Sequence, residues 1–185
     1  FDYGERLGSR VAPMVGARED EVVLANSTTV NLHTLVGTFL RESPGSKVLV
    51  NELDFPSDHY AVRAQLRERG LDPEADLVQV ASRDGRTIDA ADVAAALDAH
   101  PEVGVVLMPS VLYRSGQLLD VAAIAEAAHE HDAVVGFDCA HSVGVVPHEL
   151  ADHGVDFAVW CSYKYLNGGR GAVAGGAREA RGGGW

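Results

Sequence analysis

Short apolar runs rich in valine alternate along this chain with longer segments in which apolar positions recur every three or four residues. The first pattern belongs to buried strands and the second to helices lying on a sheet. Runs at Lys47–Asn51, Leu77–Ala81, Val103–Pro109, Ala133–Asp138, Phe157–Cys161 and Gly171–Gly175 predict six strands. The amphipathic spacing predicts helices over Thr29–Arg41, Ser57–Arg69 (closed by Gly70), Ala90–Ala99 (stopped before Pro101) and Asp120–His131. Strand and helix in alternation predict an α/β fold, a mainly parallel sheet flanked by helices. Ligands of such sheets gather beyond the carboxyl ends of the strands, so the residues just after each run carry the candidate chemistry.

Composition narrows the field. The chain has 185 residues, 46% hydrophobic and 23% charged, enough for one domain with a sizeable core. Its 27 acidic and 15 basic side chains leave a net charge of −12, which argues against a nucleic-acid partner. The one crowding of basic residues, Arg63, Arg67 and Arg69, alternates with Glu68 on a predicted helix and is expected to be a solvated face. Apolar runs such as Val103–Met108 and Val143–Val146 fall far short of the roughly 18 residues of a membrane span, so none is expected. Cys139 and Cys161 make no disulfide framework and have no second cysteine at metal-ligand spacing, so the default is a reducing, cytoplasmic setting without a metal. The chain opens at Phe1 with no methionine and no signal-type stretch, which predicts a piece of something longer. Lysine occurs only at Lys47 and Lys164.

Three strand-end segments carry chemistry. Asn26-Ser27-Thr28-Thr29 opens the first strong helix, where free N–H groups, the positive end of the helix dipole and hydroxyls meet the needs of a phosphate. A plain N-cap would use only one of those residues. Asp138 ends an apolar strand, where a buried carboxylate needs a partner. That partner is either a protonated ring nitrogen of a cofactor, with His141 nearby to orient it, or the turn that Asp138 caps. Cys139 reads as a small buried hydrophobe. Lys164 follows the run Trp160-Cys161-Ser162-Tyr163 and precedes Gly168-Gly169, a setting for a partly desolvated amine that forms Schiff bases, although any single lysine is more often a surface residue. A phosphate cradle, a carboxylate and a lysine in that order describe a pyridoxal phosphate site.

The runs Thr28–Leu32, FPSDHYA (Phe55–Ala61), GFDCAHSVG (Gly136–Gly144) and GVDFAVWCSYKYLNGG (Gly154–Gly169) resemble kynureninase. The similarity runs from about Asn26 to Gly176. It implies a homodimeric enzyme of fold type I in the aspartate aminotransferase superfamily, which uses pyridoxal phosphate to hydrolyse L-kynurenine, or 3-hydroxykynurenine, to the anthranilate and L-alanine. By motif, Lys164 resembles the lysine that holds the cofactor, Asp138 the partner of its ring nitrogen, and Thr28 and Thr29 the phosphate-binding pair. Phe55 matches the stacked ring and Asp58 a hydrogen-bonding neighbour. His141 and Tyr163 match positions against the cofactor, Tyr163 also as proton donor. Outside that motif Phe55 would read as core packing and Asp58 as a first-turn acid. The resemblance divides the chain into a partial cofactor-binding large domain at 1–176 and a glycine-rich tail at 177–185, with the small carboxyl-terminal domain and its substrate-carboxylate arginine absent. Gly184-Trp185 is a candidate for the family's Gly-Trp pair. Two other readings stand beside this one: another fold-type I enzyme of the class-V aminotransferase or cysteine desulfurase kind, and a truncated chain without activity.

Overall fold

In a computed structural model the chain is described over residues 2–169 and, for the backbone, 173–177. The elements run α1 (Tyr3–Val11), a 3-10 turn (Ala12–Val15), β1 (Val22–Leu24), α2 (Thr28–Glu42), β2 (Lys47–Asn51), α3 (Pro56–Glu68), α4 (Pro73–Asp76), β3 (Leu77–Val80), α5 (Ala90–Ala99), β4 (Val103–Pro109), α6 (Val121–Glu130), β5 (Val134–Asp138), β6 (Phe157–Cys161), α7 (Ser162–Tyr165) and β7 (Val173–Ala177). The strands form one sheet in the order β1-β7-β6-β5-β4-β2-β3. Strands β6, β5, β4, β2 and β3 pair in parallel, and β7 lies antiparallel between β1 and β6.

The continuous apolar runs of β2, β4 and β6 are explained by burial on both faces. Along β6 the side chains alternate: Phe157 and Val159 join the cluster under α2 and α3, while Ala158 and Trp160 join the one under α5 and α6. On the first face Phe39 of α2 stacks on Phe157, ring centroids 5.1 Å apart. That stack fixes Gly136 in the neighbouring strand, because a Cβ there would lie 2.1 Å from Phe157 Cζ.

The predicted strands and helices are all present, most within one or two residues. The last strand is described over 173–177 and reaches one residue into the predicted tail, while Gly171 and Ala172 lie outside the described residues. Among the described residues, five elements have no counterpart in the sequence prediction: α1, the 3-10 turn, β1, α4 and α7. The basic crowding of α3 is partly the solvated face expected of it, since Arg67 and Glu68 are exposed, while Arg63 and Arg69 are half-buried and partnered. Arg63 pairs with Glu74, and Arg69 donates to the carbonyl of Gly37 and to Gln65, tying α3 to α2. Among the described residues, no helix is long and apolar enough to cross a membrane.

Candidate active site

Because β7 is antiparallel to both its neighbours, β1 runs in the same direction as β6, β5, β4 and β2. The carboxyl ends of these five strands therefore open on one edge of the sheet. Asn26–Thr29 follow β1, Asp54–Asp58 follow β2, Ser110–Tyr113 follow β4, Asp138 closes β5 and Ser162–Lys164 follow β6.

Lys164 sits in the single turn α7, which starts directly where β6 stops. The turn is left through Asn167, whose φ of 55° is left-handed, and Gly168, where a Cβ would meet Ser162 Oγ at 2.4 Å. So placed, the Lys164 Nζ lies 3.1 Å from His141 Nε2 and 5.9 Å from the centre of the Phe55 ring. Phe55 meets Tyr113 edge to face at 5.2 Å, and Tyr113 lies 6.2 Å from the His141 ring. One amine and three rings thus surround a single spot above the sheet edge. Tyr163 stands beside this group, half exposed and interacting with Cys161, and its hydroxyl is pushed above the ordinary tyrosine value, chiefly by Cys161.

Beneath the amine lies a cluster of three carboxyls. Asp138 accepts the Ala140 N–H at 2.8 Å. Burial raises its pKa, while the Ala140 N–H, a hydrogen bond from Asp58 and the charges of Lys164 and His141 pull it back. Asp58, which accepts the Ser57 hydroxyl at 3.1 Å, is pushed up to about 9 by burial first and by Asp138 and Asp54 next. Asp54 is raised well above the ordinary value by burial, even though Asn51 donates to it from its backbone N–H at 3.1 Å and from Nδ2 at 2.7 Å. Two like charges this close cannot both form without cost. Asp58 therefore keeps its proton and donates it to Asp138, the member whose pKa Lys164 pulls down, so the pair carries one negative charge. The His141 ring is held below the ordinary histidine value by burial and then by Lys164, which leaves a neutral nitrogen facing the amine.

At the mouth of α2, Asn26 is left-handed with φ 47° and Ser27 caps the helix, its Oγ accepting the Val30 N–H at 3.3 Å. The N–H groups of Thr28 and Thr29 have no acceptor among the described residues. They are free for an anion at the positive end of a fifteen-residue helix. An amine, a buried carboxylate pair, a ring platform and an anion cradle on one sheet edge match an aromatic aldehyde phosphate group for group. Cys139 is fully buried with its thiol pushed up to about 12, which fits a packing residue and not a nucleophile. Trp185 lies outside the described residues.

Sequence reasoning missed Tyr113 and Asp54. Tyr113 follows the end of β4 as Lys164 follows that of β6, so the same strand-end rule applies to it. Asp54 carried no signal beyond proximity to Phe55.

The aminotransferase class-V profile matches residues 4–178. The chain belongs to the aminotransferase class-V family. Among relatives of this class-V chain, the kynureninase of Geobacillus thermodenitrificans (strain NG80-2) is 50% identical over 176 residues, 95% of the chain and 41% of the relative. A kynureninase of Bacillus cereus is 49% identical over 177 residues, again 41% of its length. The class-V chain therefore spans about two fifths of the length of these relatives. Among solved structures, a cysteine desulfurase of Thermococcus onnurineus NA1 superposes with a TM-score of 0.81 at 19% identity, covering 96% of this chain and 43% of that one. At that identity the likeness speaks for the fold alone.

Proposed function

We propose that this chain is the cofactor-binding core of a kynureninase, which hydrolyses L-kynurenine to anthranilate and L-alanine with pyridoxal phosphate. The observation that carries the proposal is the meeting of Lys164, His141, Phe55 and the Asp58–Asp138 pair at one sheet edge, in a chain half identical to kynureninases. In this reading residues 1–176 belong to the large domain, the enzyme is a cytoplasmic homodimer, and the substrate carboxylate is held by parts of the protein beyond this span.

Bound pyridoxal phosphate supplies a carbonyl for amines and a ring that withdraws electrons from bonds to the substrate Cα and Cβ. Lys164 Nζ would hold that carbonyl covalently and, once displaced by the substrate amine, take the Cα proton. The neutral His141 nitrogen 3.1 Å from Nζ gives the lysine proton somewhere to rest. Asp138 would face the ring nitrogen and keep it protonated, with Asp58 sharing its own proton so that only one negative charge opposes the ring. Phe55 would cover one ring face, and Thr28 and Thr29 would bind the phosphate through their N–H groups and hydroxyls. Tyr163 keeps its hydroxyl proton, as a donor to carbon must, and its exposure leaves it open to substrate.

The test is a titration of the purified chain with pyridoxal phosphate, followed by borohydride reduction and peptide mapping. An absorbance band in the near-ultraviolet to visible range that borohydride removes, with the label on Lys164, is the expected result. A label on Lys47 would overturn the assignment. Anthranilate fluorescence measured on the complete protein then separates kynureninase from a desulfurase, which would release no anthranilate.

A further inference from the structure

A buried polar chain runs beneath the carboxylate cluster and plays no part in the mechanism above. The backbone carbonyl of Asp138 accepts the Ser110 N–H at 2.9 Å and lies 3.3 Å from the Ser110 hydroxyl. Ser110 Oγ is 2.6 Å from Ser142 Oγ, and Ser142 Oγ is 2.8 Å from His148 Nε2. Ser142 also holds the next carbonyl, that of Cys139, at 3.2 Å from its hydroxyl and 3.1 Å from its N–H. Both serines are fully buried and His148 is 7% exposed. Ser142 lies in the turn that follows Asp138, contains His141 and runs on through Val145.

Each hydroxyl has one proton to give, so the chain is satisfied only as a directed whole. With His148 Nε2 accepting, Ser142 donates to it and Ser110 donates to Ser142 or to the Asp138 carbonyl; with the proton on Nε2, His148 donates to Ser142, which donates on to the Cys139 carbonyl. Removing the histidine takes that partner from the buried Ser142 hydroxyl and ends the directed order of the chain. The partners left to Ser142 are the Cys139 carbonyl at 3.2 Å and Ser110 Oγ at 2.6 Å, so its pull on the turn changes. We propose that His148 is a positioning residue, which acts through Ser142 and Ser110 to hold the Asp138–Ser142 turn, and with it the Asp138 carboxylate and His141, in register with Lys164. This inference rests on the proposed role of Asp138 as the cofactor's partner, and it assigns a task to residues at the back of the site.

The test uses the whole chain labelled with nitrogen-15. The Ala140 amide, which donates to the Asp138 carboxylate, and the Ser110 amide, which donates to its carbonyl, report the turn without any cofactor. His148→Leu should shift both resonances and weaken pyridoxal phosphate binding about tenfold. His148→Gln, which keeps a polar atom near the place of Nε2, should restore both. Ser142→Ala should reproduce the effect, and adding it to His148→Leu should make matters no worse, because the chain is already cut. Unmoved Ala140 and Ser110 amides in a folded His148→Leu or Ser142→Ala chain would overturn the proposal. So would a glutamine variant that melts like wild type yet binds as weakly as the leucine one. If the wild-type chain takes up no pyridoxal phosphate, the proposed function falls, and the two amides still decide whether His148 positions the turn.

Discussion

Replacing Asp58 with asparagine should change how stability depends on pH in a way that few surface or core substitutions could. The Asp58 carboxyl is 2% exposed and held up to about 9, against 3.8 for an ordinary aspartate. Between those values the folded chain keeps a proton that the unfolded chain has lost, so folding is favoured at low pH and the advantage drains away as pH rises toward 9. One extra proton in the folded state corresponds to a slope of about 1.4 kcal/mol per pH unit. From pH 6 to pH 8 the cofactor-free chain should therefore lose about 2.7 kcal/mol through this group alone, or about 5–10 °C in Tm for a domain of this size. Asparagine has the shape of the protonated acid and does not titrate, so the variant should match wild type near pH 4 and surpass it increasingly as pH rises to 8. Urea unfolding of both proteins at half-unit pH steps measures the difference and cancels groups common to both, such as His59, whose depressed pKa acts in the opposite sense. Parallel stability curves from pH 5 to 8 would show that Asp58 is ionised in the folded chain and that the proton-sharing pair is wrong.

Two further outcomes can be checked. Asp138→Asn keeps the side chain's shape but removes the charge opposite the ring nitrogen. Turnover of the complete enzyme should drop roughly a hundredfold, about 3 kcal/mol, and unchanged turnover would remove Asp138 from that role. Gly136→Ala would place a methyl 2.1 Å from the Phe157 ring and unsettle its stack on Phe39, so denaturant unfolding should show a loss of about 1–3 kcal/mol or a chain that does not fold.

What the sequence made legible follows from how locally each feature is encoded. Lys47–Asn51, Val103–Pro109 and Phe157–Cys161 were bounded to the residue because strands buried on both faces are unbroken apolar runs. Val22–Leu24 escaped because it is three residues long and its pairing partner lies near the other end of the chain. Tyr3–Val11 escaped because Glu5, Arg6, Ser9, Arg10 and two glycines dilute its apolar positions. Asp138 and Lys164 stood out since charge directly after an apolar strand is costly without a purpose. The resemblance added Phe55, Asp58, His141 and Tyr163, whose local signals were weak. Asp54, Tyr113 and the Ser110–Ser142–His148 chain acquire meaning only when strands distant in sequence bring them together. The protonation of Asp58 likewise depends on two carboxyls that pattern alone does not place beside it.

The antiparallel strand β7 sets an order of assembly. Val22 pairs with Gly176, roughly 150 residues further along the chain, and β1 has no other partner in the sheet. During synthesis at ~5–20 residues per second, β1 waits about 8–30 s for the strand that receives it. Through that interval α1 and the entry to α2, where Thr28 and Thr29 lie, have no strand in the sheet and are held by α2 and, once they emerge, by Leu150 and Ala151, whose N–H groups donate to the carbonyls of Val15 and Gly16. The parallel strands β2 to β6 can be in place long before then, with Lys164, Asp138 and Phe55 already beside one another. The anion cradle is thus the last part of the site to be built. A phosphate-bearing ligand arriving early would meet the amine before it met its anchor, and ribosome-bound chains should gain tight binding only after residue 177 has cleared the exit tunnel.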